Sequence, residues 1–411
     1  MRVPACLVLV CLTSGAWAGW FALPSGTTTD LAAVDFPKDT AIGFVVGSGG
    51  LILKTLNAGA AWESLPSGTW NSLTAVCFPV DAETGYVAAS GGLIIKTLDG
   101  GASWSVQPSG VTLDLRSLCF PEDARTGYCT GGDDTDAVIL KTTNGGADWV
   151  RQPTSAGHPI TSTQFPVNAL TGYAVGWHGA IVKTTDGGAD WQTLNSGTPA
   201  DLECVRFPSG ELTGYIAGSG GTILKTVNGG STWWPETTHV NDYLASMSLP
   251  VGNAVGYAVG ASGTVIKTTN GGSTWTAQTS GVGYFLWSVI FPSDEQTGYA
   301  VGGHGTIVKT VDGGAAVGED NAPFTRYLTS GPTVVRDVLF LGPFAVSRRP
   351  SANLLDISGR KVLNLKPGPN DVSRLAPGVY FVSSRPSAVS RDAPRGAEDT
   401  PFAVRKVVIQ R

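Results

Sequence analysis

A Lys-Thr pair returns seven times along this chain: Lys54-Thr55, Lys96-Thr97, Lys141-Thr142, Lys183-Thr184, Lys225-Thr226, Lys267-Thr268 and Lys309-Thr310. The intervals are 42, 45, 42, 42, 42 and 42 residues. So regular a period leaves few architectures, because each copy must be one supersecondary unit that buries its apolar face on its neighbours. Every copy has the same parts. An apolar stretch ends in Phe-Pro (Phe36-Pro37, Phe78-Pro79, Phe120-Pro121, Phe165-Pro166, Phe207-Pro208, Phe291-Pro292), or in Leu249-Pro250 in the sixth copy. A Thr-Gly-Tyr turn comes next in most copies, then a glycine turn and an Ile-x-Lys-Thr strand, and last Asp/Asn-Gly-Gly-x-x-Trp. This reads as four short strands, A to D, and four strands per ~40–45 residues make the blade of a β-propeller.

The ends of the array predict a closed ring. The seventh copy has Asp312-Gly313-Gly314, but Val317 stands where Trp is expected. The segment Trp20 to Gly26 matches the segment that begins at the tryptophan in other copies, such as Trp62 to Gly68. The N-terminal segment is therefore expected to supply the outer strand that blade seven lacks, hiding edges that would otherwise template aggregation. An open solenoid would not explain a displaced strand. Strand A supports the ring. Five residues before each Phe/Leu-Pro the residue is aliphatic (Leu31, Leu73, Leu115, Ile160, Leu202, Leu244, Leu286), and three before it is small. Small residues suit the crowded inner strand.

Composition agrees. Gly makes up 55 of 411 residues, about twice the usual ~7%, as seven sets of tight turns require. Charged residues are only 14%, which excludes a coiled coil. The net charge of −5 joins unlike parts: residues 19–320 carry −14 and residues 321–411 carry +8. That balance gives no reason to expect nucleic acid as a partner. Residues 1–18 read as a secretory signal, with Arg2, an apolar stretch Ala5–Leu12 and an Ala16-Trp17-Ala18 cleavage site before Gly19. No segment is apolar for long enough to predict an integral membrane span. Cys77, Cys119, Cys129 and Cys204 lack metal-ligand spacing. Cys119 and Cys129 flank one hairpin and are candidates for a disulfide.

The motif Thr-x-Asp/Asn-x-Gly-x-x-Trp resembles the Asp-box of sialidases, sortilin-type receptors and propeller glycosidases. Its capping residues here are Asn57, Asp99, Asn144, Asp186, Asn228, Asn270 and Asp312. The whole 42-residue unit more closely resembles the photosystem II stability/assembly factor family over residues 19–317. The resemblance implies a seven-bladed propeller that acts as an assembly chaperone. It also implies an arginine-rich patch, whereas Arg116, Arg125, Arg151 and Arg206 share no register. After a linker at 318–331, residues 332–411 show short β runs as in a small sandwich. Leu355-Asp356-Ile357-Ser358-Gly359-Arg360, Leu375 to Val382 and Arg405 to Ile409 are similar to the type A sorting domain of the type IX secretion system. That implies passage of the outer membrane, with an insertion at Ser383–Thr400 as a departure.

Residues repeated seven times support blades and cannot form one active site. The carboxylates Asp30, Asp114, Asp201, Glu203 and Asp242 are candidates for a glycosidase pair, but Asp30, Asp114 and Asp201 share a register that suggests turn capping. His178 and His304 share a turn register, and Asp133, Asp134 and Asp136 sit in the blade-three insertion as a solvated loop or Ca²⁺ ligands. Breaking the repeat at one ring mouth are Trp70, Trp177, Tyr243, Tyr284, Phe285 and Trp287. These can stack on sugars or grip a peptide, or they can plug the channel. We therefore expect an all-β chain: a seven-bladed propeller closed by an N-terminal outer strand, plus a small C-terminal β-sandwich. The expected role is non-catalytic binding or scaffolding at the cell surface or in the medium, with a protein or glycan ligand and the type IX secretion machinery as partners. No cofactor and no metal are expected, and the chain is expected to be a monomer. A propeller glycoside hydrolase or carbohydrate-binding protein is the alternative.

Overall fold

A computed structural model describes residues 19–315 except 38–40, 251 and 253, and, beyond them, seven strands between Thr333 and Ile409. The signal at 1–18, Val317 and the linker at 318–331 lie outside the described residues. The chain divides into two compact units, Met1–Val317 and Gly318–Arg411.

The first unit is a seven-bladed β-propeller, built of seven four-stranded antiparallel sheets. Blade two shows the plan: strand A is Leu73–Cys77, B Gly85–Ala89, C Ile94–Thr97 and D Ser105–Gln107. Strand B is buried throughout in every blade but for the hairpin tip in blade three and the leading Thr213 in blade five. Each strand A carries a register shift after its first residue, as between Leu73 and Ala75. The residue in between leaves the ladder, as in a bulge. Blade seven takes its strand D from the start of the chain, as the sequence predicts. Trp20–Leu23 pairs antiparallel with Thr306–Thr310, with Trp20 opposite Thr310 and Leu23 opposite Ile307.

The repeated residues hold blades to each other. In blade two, Lys96 Nζ donates to the Gly145 carbonyl of blade three at 2.8 Å, and the Tyr86 hydroxyl donates to the same oxygen at 3.0 Å. The ammonium also sits over the Tyr86 ring, 5.1 Å from its centre, as a cation–π pair. The last latch closes the ring: Lys309 Nζ and the Tyr299 hydroxyl both donate to Ala58 O of blade one, at 2.8 and 2.9 Å. Blade one has Phe44 for Tyr, so Gly100 O accepts from Lys54 without a phenol beside it. Burial lowers the pKa values of Lys96, Lys267 and Lys309.

The Phe of Phe-Pro fills the gap between blades. Phe120 stacks on Tyr86 at 4.2 Å and meets its own blade's Trp149 edge-on at 6.2 Å. In blade seven Phe291 stacks on Tyr257 and meets Trp20 edge-on at 5.8 Å, so the N-terminal strand brings the missing tryptophan. The glycine of Thr-Gly-Tyr is a consequence of this packing: a Cβ on Gly85 would lie 2.4 Å from the Phe78 ring. Inside each box the Thr hydroxyl organises the turn, as where Thr97 Oγ1 donates to Asp99 Oδ1 at 2.7 Å and accepts from Gly101 N–H at 2.9 Å.

The expected Cys119–Cys129 disulfide is not formed, and all four cysteines at 77, 119, 129 and 204 are free thiols. Cys129 stands opposite Leu118 and Cys119 opposite Tyr128. Side chains of successive strand residues point to opposite faces. Cys129 therefore packs in the core with Tyr86 and Leu115, while Cys119 packs against Tyr128 and Ile160 on the other face.

In the second unit Thr333–Val335, Ala403–Ile409, Gly378–Ser384, Ala352–Leu355 and Lys361–Leu365 form one sheet in that spatial order. Val338–Leu341 pairs with Gly368–Asp371 in a second. The terminal Val404–Ile409 run is thus a strand, paired with Gly378–Ser384 along its whole length.

Candidate binding site at the channel mouth

The residue that leaves the ladder in strand A marks the inner wall. In blade order it is Ala32, Thr74, Arg116, Thr161, Glu203, Ala245 and Trp287. Thr74 and Thr161 use their hydroxyls to tie adjacent blades, donating to Leu115 O and Leu202 O at 2.6 Å each. Arg116, Glu203 and Trp287 break this small-residue register, and the irregular aromatics gather around them.

Glu203 is the chemical centre of the set. Burial pushes its carboxyl up to about 7; the Tyr243 hydroxyl, the Arg116 guanidinium and Trp177 pull it back, while Asp201 works against them. Its Oε1 is buried without a hydrogen-bond partner, and so is Arg116 Nε. The guanidinium lies over the Trp177 ring, 5.3 Å from its centre. Burial and the Glu203 charge raise the Tyr243 phenol far above its ordinary range. Tyr243 meets Phe285 edge-on at 5.6 Å, and Phe285 stacks on Trp287 at 3.8 Å. An arc of aromatic rings thus runs from blade four to blade seven over a half-buried acid and base. Trp287 is 43% exposed, and Tyr284, 4.4 Å from the His304 ring, is 49% exposed. Trp70 stands apart. It is 90% exposed beside a groove of about 850 Å³ bordered by Ser48, Leu51, Pro66 and Thr69 of blade one.

Three of the five candidate carboxylates have structural work. Asp30 accepts from His304 N–H at 2.8 Å, Asp114 from Gly91 N–H at 2.9 Å and Asp201 from His178 N–H at 2.9 Å. Each caps the turn of the preceding blade, as their shared register suggests. Asp242 accepts from the Thr264 hydroxyl. His178 and His304 occupy left-handed positions, with φ of 56° and 55°, where blades one, two and five have Gly. In blade three Asp133 caps its own turn through Thr135 and Asp136 N–H, and Asp136 pairs with Arg151, so these carboxylates have protein partners. Among the described residues no three His, Cys, Asp or Glu come together as a metal-ligand group.

A family model described as photosynthesis system II assembly factor YCF48 matches residues 65–194 and 160–281, together more than half of the chain. The chain belongs to the YCF48 family. A solved structure of YCF48 bound to D1 peptide superposes with a TM-score of 0.59 at 19% identity, covering 72% of this chain and 98% of that one. YCF48 from Cyanidioschyzon merolae gives 0.58 at 19% identity, with 71% and 98% covered. The GH74 enzyme of Niastella koreensis gives 0.58 at 21% identity, with 73% of this chain and 54% of that chain covered. No curated protein matches the chain. At these identities the structures share the propeller fold. In this YCF48-family propeller three of the four arginines serve separate places. Arg116 lies at the mouth, Arg151 pairs with Asp136, and Arg206 donates to its neighbour's carbonyl, Val205 O.

The nearness of Arg116 to Glu203 is absent from the sequence-based expectations, in which the acid is a candidate for a hydrolytic pair and the base one of four scattered arginines. Its signal lies in the bulge register of strand A, where Ala or Thr stands in four blades and Arg, Glu and Trp in the other three.

Proposed function

We propose that this chain is an exported, non-catalytic binding protein of the YCF48 family that holds a peptide segment of a partner at the channel mouth. The observation that carries the reading is the arc Trp177–Tyr243–Phe285–Trp287 over half-buried Glu203 and Arg116. Exposed Trp287, held by the half-buried rings beside it, gives contact area at little conformational cost. Beneath the rings the Glu203 carboxyl and the Arg116 guanidinium lie close enough to feel each other's charge, an acceptor and a donor group of the kind that binds peptide main chain. A peptide ligand is also what the related YCF48 structure holds, a D1 peptide.

The test is a pull-down and peptide-array screen with residues 19–317. Replacing Trp287 by Ala is expected to weaken capture at least ~10-fold, as for loss of an aromatic hot spot, with an unchanged thermal midpoint. Equal capture by the variant would refute the mouth as the site. The likeness to the Niastella koreensis enzyme keeps the glycosidase alternative in view. Hydrolysis of a glycan that Glu203→Gln abolishes would establish it in place of the first.

The C-terminal unit is proposed to be the address for export by the type IX system, after a signal peptide at 1–18. The motifs Leu355 to Arg360, Leu375 to Val382 and Arg405 to Ile409 support this. Deleting residues 332–411 is expected to trap the propeller in the periplasm. Unchanged release into the medium would refute the sorting role.

A further inference from the structure

Six Asp-boxes are closed by the residue before their tryptophan. Its backbone N–H donates to the capping Asn or Asp: Ala61 to Asn57, Ser103 to Asp99, Asp148 to Asn144, Asp190 to Asp186, Thr232 to Asn228 and Thr274 to Asn270, at 2.8–3.0 Å. In blade seven the donor is Gly19 N–H, which reaches both oxygens of Asp312, at 3.2 and 3.0 Å, from the other end of the chain. Gly19 is also the residue directly after the Ala16-Trp17-Ala18 signal-cleavage pattern. We infer that the chain is processed between Ala18 and Gly19, and that the new α-ammonium group forms an ion pair with Asp312 that locks the ring.

Two features of Asp312 point to a charged terminus at this place, and the backbone explains why the residue there is a glycine. Asp312 is half-buried, whereas the other six capping residues are exposed. It turns two oxygens to one nitrogen, where the other capping residues each give one oxygen to the equivalent N–H. Gly19 has φ +82°, the left-handed region, while none of its six counterparts has a positive φ. The chain thus enters the box at an angle that suits glycine.

The chemistry is a hydrolysis. Water cleaves the Ala18–Gly19 amide at a signal peptidase, Ala18 leaves with the carboxylate, and the Gly19 amine takes a proton. One amide donor becomes three donors with a full positive charge. Charge-assisted hydrogen bonds are about twice as strong as neutral ones, so processing strengthens the contact that pins strand D of blade seven. A chain that keeps its leader would have the neutral contact only, and the seam would close fully after export.

The test compares three forms of the protein: exported protein, residues 19–411 with a free Gly19 amine, and the same chain acetylated on that amine. Intact mass and N-terminal sequencing of the exported form should give Gly19 as its first residue. Acetylation should lower the thermal midpoint by ~2 °C or more and speed hydrogen exchange of the Trp20–Leu23 amides ~5-fold or more. An α-amine titrates ordinarily near 8, and pairing with a carboxylate raises that value in the folded state. Asp312 also faces the Lys267 ammonium and the Tyr257 phenol, which are common to both forms, so the advantage of the free amine over the acetylated one is full below about pH 8 and lost as pH rises through the raised value. In Asp312→Asn the free and acetylated forms should coincide. A different first residue, or equal midpoints and exchange for the free and acetylated wild-type chains, would overturn the inference.

Discussion

A chain that begins at Ser25 should melt far below one that begins at Gly19, and should tend to aggregate. Without Trp20–Leu23 the edge of Thr306–Thr310 is bare, and unpaired strand edges template association. The gap between blades six and seven also loses the indole that meets Phe291 and Tyr257 edge-on. Replacing Trp20 by Ala alone should cost about 3–5 kcal/mol, the usual range for a buried Trp. In a domain of this size that moves the thermal midpoint by ~6 °C or more. Differential scanning calorimetry of the full, truncated and Trp20→Ala chains checks the order. A truncated chain as stable as the full one would show that the ring does not depend on its N-terminal strand.

The second large effect is a loss of stability from pH 5 to pH 8. Burial raises Asp35 to about 6, against hydrogen bonds from Phe78 and Phe36 N–H, and raises Glu203 to about 7. Ordinary values are about 3.8 and 4.5. Between those values and the raised ones, the folded state binds more protons than the unfolded state. Stability therefore falls as pH rises through that window. Shifts of this size correspond to about 3 kcal/mol for each group. Urea melts at pH 5 and pH 8 span the upper part of both windows, where Asp35 contributes about 1.4 kcal/mol and Glu203 about 2.5 kcal/mol of the loss. Repulsion within an acidic propeller acts in the same direction, so the variants decide the cause. Glu203→Gln should remove about two thirds of the part due to these two groups, and Asp35→Asn, which keeps an acceptor for Phe78 N–H, should flatten the pH dependence further. Variants with the slope of the parent would refute the assignment.

How far the sequence foretells this structure depends on whether a residue repeats. The Lys-Thr period reveals blade count, strand order and closure by Trp20, because each is a property of the unit or of a unit left incomplete. The repeat also marks Lys96 and Tyr86 as structural, though their joint hold on Gly145 O needs coordinates: it joins residues about one period apart across an interface. The Cys119–Cys129 expectation fails on alternation. Two cysteines on paired strands lie on opposite faces when they are offset by one position, and Cys119 stands opposite Tyr128, one residue from Cys129. Residues that do not repeat are the hardest to read. Tyr243, Phe285 and Trp287 are recognisable as exceptions, but their arc over Glu203 and Arg116 depends on how seven strands converge. A sequence written in a line does not display that convergence.

The lysine latches have a practical corollary for anyone handling this protein. Of the eight lysines between residues 19 and 320, seven hold the next blade's carbonyl with Nζ. An amine bound in this way is a poor nucleophile toward activated esters. Biotinylation, fluorescent tagging and amine coupling to a resin should therefore spare most of the propeller and concentrate on the lysine-bearing remainder, which includes exposed Lys361. Reagents that do reach the latches would remove the charge that each seam uses, so heavy labelling of the propeller would be a chemical way to take the ring apart.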